Sequence, residues 1–321
     1  MFIQAERPRR KLTGKFALLG ILLVAHGSSE GRATTPENAV IESGGARLNL
    51  VFDGPAPALP LAMYRHYVQR AADAVSLYYG RFPVPSARIV LQVSTNREGI
   101  LQGTTWGDVD GIPAVTRLRV GQRTSAEALE QDWIAAHELV HMALPSLPDE
   151  QHWLEEGIAS YVEPVARAQA GQLTAEQMWR GMVRGLPNGE PESGDKGLDR
   201  THTWGRTYWG GALFCLVADV EIRRKTGNSR GLQDALRGIV NAGGTIDKDW
   251  PVDRVLDIGD HATGTSVLRD TYRRWSEAPV RVDLSELWSE LGVAADGDRI
   301  RFKDQAPLAS IRKAITAVPK Q

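Results

Sequence analysis

The sequence predicts an α+β fold with a small sheet-containing N-terminal lobe and a mainly helical C-terminal lobe. Residues 47–52 alternate between apolar and polar side chains, and residues 87–93 are rich in β-branched and aliphatic side chains. Both patterns are typical of strands. From Thr207 onward, apolar residues recur mostly at helical spacing. We therefore expect residues 45–165 to form the sheet-containing lobe and residues 166–321 to form the helical lobe.

Other elements of the first lobe follow from periodicity and capping signals. Residues 61–79 have the pattern of a helix, and residues 115–120 have that of a third strand. Thr124 and Glu127 match a capping box, which predicts the start of a long helix over residues 125–144.

A second helix is predicted to begin near residue 148 and to continue through residue 161, and the Gly- and Pro-rich stretch 186–206 indicates a loop. Further helices are predicted over residues 208–226, 229–240, 265–275 and 284–291.

Composition and charge are those of an ordinary globular protein. Of the 321 residues, 42% are hydrophobic and 24% are charged, and 38 basic against 39 acidic residues give a formal net charge of -1. This balance produces no global field that would attract nucleic acid or an anionic membrane, so we expect neither partner. The single cysteine, Cys215, excludes an internal disulfide, and its apolar neighbours predict a small buried side chain.

The N-terminus has the pattern of an export signal. Basic residues precede an apolar run at residues 16–25, and small residues follow it. The run is shorter than the roughly 20 residues that span a bilayer. We therefore expect residues 1–27 to be a cleaved signal peptide and residues 28–44 to be a flexible linker. The mature protein would be periplasmic or secreted without stable membrane insertion, and an uncleaved N-terminal membrane anchor is the alternative.

A pair of histidines lies inside the first predicted long helix after the strands. His137, Glu138 and His141 stand in the order His-Glu-x-x-His, and a spacing of four residues places both imidazoles on one helix face. That arrangement suits a tetrahedral zinc ion. Glu138 is next to the first histidine, so it can act on a water as a general base without being a ligand. A chance pair of helix histidines is the alternative explanation.

The next helix contains the segment Trp-Leu-Glu-Glu-Gly-Ile-Ala at residues 153–159. This segment resembles one that follows the His-Glu-x-x-His motif in the gluzincin zinc metallopeptidases, a peptidase MA-like group that includes the catalytic domains of alanyl and glycyl aminopeptidases. The resemblance implies a thermolysin-like zincin fold, one zinc ion per chain, and Glu156 as the third ligand. Glu163 lies about 20° from Glu156 around the helix and about 80° from Glu155. We therefore expect Glu163 to orient a histidine ligand and Glu155 to be solvated.

Tyr208 opens another predicted helix, in the sequence Tyr-Trp-Gly-Gly. This sequence resembles the Tyr-x-Lys-Gly segment of the same aminopeptidases, whose tyrosine hydrogen-bonds the tetrahedral oxyanion. The resemblance implies that role for Tyr208, although Gly210 stands where those enzymes have lysine. Packing of the ring into the core is the alternative.

Residues 103–107 occupy the place where these peptidases keep an edge strand that pairs with the substrate backbone. The segment lacks the glutamate that captures the amino terminus of a substrate in the larger aminopeptidases. The residues that we expect to contact substrate are Gly103, Thr104, Thr105, Trp106 and, in the loop before Tyr208, His202.

Two further expectations concern residues outside this constellation. The nine tryptophans mostly fit apolar stripes, Trp133 among them, so we expect most of them in the core and not in an aromatic binding cage. His152 is expected to be an ordinary surface or capping residue.

Together these features predict zinc-dependent hydrolysis of peptide bonds in a peptide or protein substrate, with Glu138 as general base. Two alternatives stay open. The chain can be a pseudoenzyme or peptide-binding module, which Gly210 favours and the intact Glu138 disfavours, or a zinc hydrolase that cleaves a non-peptide bond such as an ester or epoxide. The sequence carries no signal for the oligomeric state.

Overall fold

The computed structural model describes residues 38–319. Its N-terminal part is a five-stranded sheet with the strand order β1-β2-β3-β5-β4. Strands β2, β3 and β5 run parallel, whereas β1 and β4 pair antiparallel at the two edges. The strands are β1 (Ala39–Ser43), β2 (Ala46–Asp53), β3 (Ser86–Ser94), β4 (Ile100–Val109) and β5 (Ile112–Gly121). A sheet followed by helices confirms the α+β class.

The start of the chain differs in part from expectation. The expected signal peptide, residues 1–27, lies outside the described residues, as does most of the expected linker, residues 28–44. The end of that stretch is strand β1 and not a linker. Gly44 and Gly45 both have positive φ, as a two-residue hairpin turn requires, and they return the chain directly into β2.

Helix α1 (Leu61–Tyr79) connects β2 to the parallel strand β3 and has the predicted bounds. Its tyrosine and valine side chains pack against the alternate strand residues that face it, as in the edge-to-face contact of Phe52 and Tyr64 at 5.6 Å. Leu48, Leu50, Ile89 and Leu91 are fully buried in this core. The period-two pattern of the strands therefore selects the face on which α1 packs.

The helix that carries the histidine pair is broken in two. Helix α2 (Ala126–Gln131) ends at Asp132, which has an extended backbone, and α3 (Ile134–Val140) begins after it. The Asp132 carboxylate accepts hydrogen bonds from the Tyr67 hydroxyl at 2.5 Å and from the Ala135 backbone N–H at 3.2 Å. Asp132 therefore caps a new helix, which is a role that short polar side chains favour over the helix interior.

The predicted N-cap residue, Thr124, was wrong by one position. Ser125 is the N-cap of α2, and its hydroxyl accepts a hydrogen bond from Ala128 N at 3.1 Å. Thr124 is buried instead, and its hydroxyl donates to the carbonyl of Gly121 at 2.5 Å. Burial of the Thr124 side chain leaves the exposed Ser125 to cap the helix.

The second helix of the predicted pair is longer than its pattern indicated. A 3₁₀ turn at Asp149–Gln151 leads into α4 (His152–Gln169), which continues through Pro164. Helix α5 (Ala175–Gly185) follows a capping box at Thr174 and was not predicted. The apolar face of α5 packs against α4 and against a small hairpin near the C-terminus, and this packing stabilises the helix.

The C-terminal part is mainly helical, as expected. A π-helical turn at Gly205–Gly210 runs directly into α6. The helices are α6 (Gly211–Lys225), α7 (Leu232–Asn241), α8 (Val252–Thr263), α9 (Val267–Trp275), α10 (Leu284–Leu291) and α11 (Ala309–Thr316), with the hairpin strands β6 (Val293–Asp296) and β7 (Arg299–Phe302) before α11. Helix α10 has its predicted bounds, whereas α8, α11 and the hairpin were missed. Among the described residues, no helix is both long and apolar enough to cross a membrane.

Two glycines allow α4 and α6 to touch along their backbones. A Cβ added to Gly157 would overlap the Cα of Gly211, and one added to Gly211 would overlap the carbonyl oxygen of Trp153. Gly157 directly follows Glu156, and Gly211 lies three residues after Tyr208. The contact therefore fixes how close the Glu156 and Tyr208 backbones come to each other.

We expect Gly157→Ala to lower the free energy of unfolding by about 1–3 kcal/mol, because the added methyl group forces two packed backbones apart. Urea denaturation measures the change. Gly181→Ala is the matched control, since Gly181 also lies inside a helix but has open space around its Cβ position. It should be neutral or stabilising by up to about 1 kcal/mol. Equal effects of the two substitutions would contradict a tight α4–α6 contact.

Candidate metal centre

Three side chains from two packed helices meet in one cluster. His137 comes from α3, His141 begins the 3₁₀ turn that directly follows α3, and Glu156 comes from the first turns of α4. One potential ligand atom from each residue lies within 4.8 Å of the other two. His137 and Glu156 are buried and His141 is half-buried. The structure thus brings together the three residues that the sequence and its resemblance to gluzincins proposed as ligands.

The spacing of the ligand atoms fits a tetrahedral zinc ion. Nε2 of His137 lies 3.2 Å from Oε2 of Glu156, and Nε2 of His141 lies 3.5 Å from the same oxygen. Ligands at about 2.1 Å from a tetrahedral zinc are about 3.4 Å apart. Two imidazoles and one carboxylate are a known donor set for catalytic zinc, which leaves a fourth position open.

The cluster is also suited to a cation electrostatically. Burial raises the pKa of Glu156, but His141 and His137 outweigh burial and hold this pKa well below its ordinary value. Burial lowers the pKa of His141, but the Glu156 carboxylate outweighs burial and raises this pKa to about 9. The carboxylate is therefore ionised and compensated by positive charge, as expected for a buried ligand set that a divalent cation can neutralise.

Glu138 is held beside the cluster by strand β4. Its carboxylate accepts a hydrogen bond from the Thr105 hydroxyl at 2.8 Å, and Thr116 lies 2.9 Å from the same hydroxyl. A Cβ on Gly103 would overlap the Glu138 side chain, so only glycine allows this close approach. Burial raises the pKa of Glu138, while His141 and His137 lower it, and the pKa remains above its ordinary value. A carboxylate with a raised pKa is suited to accept and return a proton.

Glu155 is buried, and the expectation that it would be solvated was wrong. Its Oε1 accepts a hydrogen bond from Leu147 N at 2.9 Å, and its Oε2 lies 3.0 Å from Nδ1 of His152. The other ring nitrogen of His152 lies 3.5 Å from Oε1 of Glu156. His152 is therefore no ordinary surface residue but connects two buried carboxylates. The loop before α4 folds back over the start of the helix, and helical periodicity contains no information on that contact.

Glu163 lies behind the cluster and pairs with Arg167. Oε1 of Glu163 accepts a hydrogen bond from Arg167 Nη1 at 2.6 Å, and both side chains are buried. Burial raises the pKa of Glu163, although Arg167 and, more weakly, His137 lower it. Nδ1 of His137 is buried and has no hydrogen-bond partner among the described residues. That Glu163 orients His137 therefore stays a prediction.

Tyr208 lies on the π-helical turn beside the histidines. Its ring stacks on that of His137 at a centroid distance of 6.3 Å. Burial raises the pKa of the Tyr208 hydroxyl, and the Glu156 and Glu138 carboxylates raise it further. The hydroxyl consequently keeps its proton at neutral pH and is available as a donor. Widened helical turns of this type are frequent at functional sites.

Buried contacts fix the turn that carries Tyr208. Nε of Arg206 lies 2.7 Å from Oδ2 of Asp195, and the Arg206 guanidinium also donates to the carbonyl of Gly189. A side chain at Gly210 would press on Leu198 and Arg206. Position 210, where the aminopeptidases have a lysine, therefore has little room for a side chain in this protein.

The remaining candidate residues separate into two groups. The segment around Gly103 is an edge strand, as expected, and Gly103 and Thr105 face Glu138. The Arg117 guanidinium lies over the Trp106 ring, 5.0 Å from its centroid. The Thr104 hydroxyl donates a hydrogen bond to the carbonyl of Gly103 at 2.6 Å. His202 is exposed in the loop before the π-helical turn. Direct contacts to Glu138 therefore come from alternate residues of β4.

Two tryptophans expected in the core are exposed beside the site. Trp133 is 43% exposed and meets the His137 ring edge-on at 5.5 Å. Trp204 is 37% exposed and stacks on Tyr208 at 6.2 Å. Trp133 fits an apolar stripe only if the helix is continuous, and the break at Asp132 turns it outward. Trp204 lies in the stretch 186–206 that was predicted to be a loop, so no apolar stripe of a helix applied to it.

Comparison with known proteins supports the fold. No family model and no curated protein matches the chain. The fold is similar to that of an aminopeptidase N family protein from Idiomarina loihiensis, with a TM-score of 0.59 and 16% identity over 80% of this chain and 49% of that chain. It is also similar to a glutamate-to-alanine variant of a two-domain M1 zinc metallopeptidase bound to L-arginine, with a TM-score of 0.50 and 16% identity over 77% of this chain and 53% of that chain.

A further similar structure is an M1 zinc metallopeptidase from Deinococcus radiodurans bound to a Tyr-Ser-Ala substrate, with a TM-score of 0.49 and 15% identity over 77% of this chain and 53% of that chain. The chain spans about half the length of these proteins. At such identities the likeness concerns the fold, and it confirms the gluzincin-like fold that the sequence predicted.

We expect protein purified without added metal to contain one zinc per chain, as measured by elemental analysis. His137→Ala and Glu156→Gln should each lose most of the zinc, because each removes one of three ligands. Glu155→Ala is the adjacent control and should keep the zinc. It should instead lower the free energy of unfolding by about 1–3 kcal/mol, because it removes the acceptor of the Leu147 N–H. Full zinc in Glu156→Gln would contradict the assignment of the third ligand.

Proposed function

We propose that the chain is a zinc metallopeptidase that hydrolyses peptide bonds in a peptide or protein substrate. The observation that carries the proposal is the position of the Glu138 carboxylate. It accepts a hydrogen bond from the Thr105 hydroxyl at 2.8 Å and lies beside the cluster of His137, His141 and Glu156. A metal-binding site with a structural role alone would not need a buried carboxylate that is excluded from the ligand set. The peptide and amino acid bound by the M1 structures support the same substrate class.

Each residue of the site has a distinct role in the proposed reaction. His137, His141 and Glu156 would hold one zinc ion, which would supply a Lewis acid for the substrate carbonyl and for a water molecule. Glu138 takes a proton from the attacking water and delivers it to the leaving amine. The Tyr208 hydroxyl donates to the oxygen that becomes negative in the transition state.

The location of the protein forms part of the proposal. The pattern of residues 1–27 supports export into the periplasm or outside the cell, where a peptidase would act on extracytoplasmic peptides.

Glu138→Gln should abolish hydrolysis and leave zinc content and melting temperature unchanged, because Glu138 transfers protons and is not a ligand. Digestion of a broad peptide library, with and without a chelator, followed by mass spectrometry is the measurement. Glu127→Gln, an exposed glutamate on α2, is the control and should cleave the library as the parent does. A parent protein that binds zinc but leaves every peptide intact would remove the peptidase assignment and favour a binding module or another hydrolase.

Thr105→Val should shift the acidic limb of the kcat/KM profile to higher pH. The Thr105 hydrogen bond lowers the pKa of Glu138, so its loss raises that pKa, and the base is then ionised only at higher pH. Thr105→Ser keeps the hydroxyl and should keep the parental profile. An acidic limb that moves to lower pH, or that shifts equally in both variants, would contradict the role of this hydrogen bond.

Tyr208→Phe should lower kcat by roughly a hundredfold with little change in KM, because the lost donor acts on charge that develops in the transition state. Zinc content and melting temperature should stay those of the parent, since the ring and its stacking on His137 remain. Steady-state kinetics on a cleaved library peptide measure the effect. Full activity of Tyr208→Phe would assign the tyrosine to packing alone.

A further inference from the structure

Two exposed aromatic side chains lie beside the candidate metal centre, and the proposed reaction uses neither of them. Trp133 and Trp204 are 43% and 37% exposed. The other seven tryptophans are buried or half-buried, namely Trp106, Trp153, Trp179, Trp209, Trp250, Trp275 and Trp288. The chain therefore buries or half-buries its other tryptophans and leaves the rings of these two exposed beside the candidate metal centre.

The two rings belong to a continuous row of aromatic contacts. Trp133 meets His137 edge-on at 5.5 Å with an interplanar angle of 88°. Tyr208 stacks on His137 at 6.3 Å and 24°, and Trp204 stacks on Tyr208 at 6.2 Å and 28°. All three distances lie in the range in which aromatic pairs attract each other. We call the rings of Trp133, His137, Tyr208 and Trp204 the aromatic row.

Local backbone structure holds both tryptophans in place. Trp133 is the N-cap of α3, and its carbonyl accepts the His137 N–H at 3.1 Å. Trp204 is the N-cap of the π-helical turn that carries Tyr208. Each ring is therefore attached to the same short element as a residue of the site.

The row is suited to an apolar ligand. Exposed tryptophan leaves apolar surface in water, which is unfavourable, and tryptophan is over-represented among residues that dominate binding. The outer rings of the row present apolar faces, whereas the charged groups of the site, Glu138 and Glu156, are buried. An apolar side chain would cover the face of Trp133 or of Trp204 without desolvating either of these carboxylates.

We propose that the aromatic row, with Trp133 next to the ligand His137 at one end and Trp204 next to Tyr208 at the other, forms a specificity subsite for a large aromatic or aliphatic side chain next to the bond that is cleaved. The proposal rests on the proposed peptidase function and names its substrate class. It predicts a preference for residues such as phenylalanine or leucine over alanine.

The test uses peptides that differ in a single residue next to the cleaved bond. This residue is phenylalanine, alanine or lysine, and it is placed before the bond in one series and after the bond in a second series. The zinc-loaded parent should show a kcat/KM for one of the phenylalanine peptides that is at least about tenfold above that for alanine. This ratio should fall at least about fivefold in Trp204→Ala or in Trp133→Ala. A ratio measured on one protein preparation does not depend on the fraction of folded enzyme, so misfolding cannot imitate the effect.

Phe302→Ala is the matched control, because Phe302 on β7 is also an aromatic residue with 37% exposure but belongs to the small C-terminal hairpin. It should keep the parental ratio. Equal cleavage of all peptides would overturn the subsite and leave the peptidase function standing. A preference for lysine that the Trp204→Ala substitution removes would also overturn it, because the rings would then bind a cation.

Binding of the same peptides to zinc-loaded Glu138→Gln protein, measured by calorimetry, separates the subsite from turnover. Tighter binding of the phenylalanine peptide, lost when Trp204→Ala is added, supports the subsite even if no peptide is cleaved. In that case only the peptidase function fails. Equal or undetectable binding of all three peptides overturns the subsite.

Discussion

The buried carboxylate of Glu156 is the constraint on which the arrangement of this site depends. An ionised carboxylate costs several kcal/mol to remove from water unless positive groups and hydrogen bonds compensate it. Here Nε2 of His137 and Nε2 of His141 both approach the same carboxylate oxygen, and His152 approaches the other. The first turns of α4 and the last turn of α3 are consequently held together by charge, and a divalent cation fits the same set of atoms.

The surrounding elements bring further groups to this point through close backbone approach. Gly103 on β4 leaves room for the Glu138 side chain, and Thr105 on the same strand holds its carboxylate. On the opposite side, Gly157 and Gly211 let α4 and α6 touch, which brings the turn of Tyr208 to the cluster. Glycine is required in these three places because any Cβ would occupy space that another chain segment fills. The sheet edge and the helical part thus meet at one site.

Errors of the sequence-based predictions have a common physical origin. The continuous helix over residues 125–144 failed because Tyr67, about 65 positions earlier, provides the partner that makes Asp132 a cap. Glu155 was expected in solvent because it lies about 80° from Glu163 around the helix, whereas Glu156 lies about 20° from it, yet the loop at Leu147 returns to cover Glu155. Helical periodicity describes only neighbours on one element, whereas these residues are decided by contacts between elements.

The sequence by itself determined the α+β class, the presence of strands β2, β3 and β5 and of helix α1, and the His-Glu-x-x-His spacing that places two imidazoles on one face. Those features depend on local periods and on the geometry of a single helix turn. The resemblance to gluzincins already pointed to Glu156 as third ligand, but only the tertiary structure decided that Glu155 is buried, that His152 joins the two carboxylates, and that Trp133 and Trp204 stay exposed. These outcomes follow from how α3, α4 and the π-helical turn pack, and packing distances between separate elements are not encoded in the pattern of any one of them.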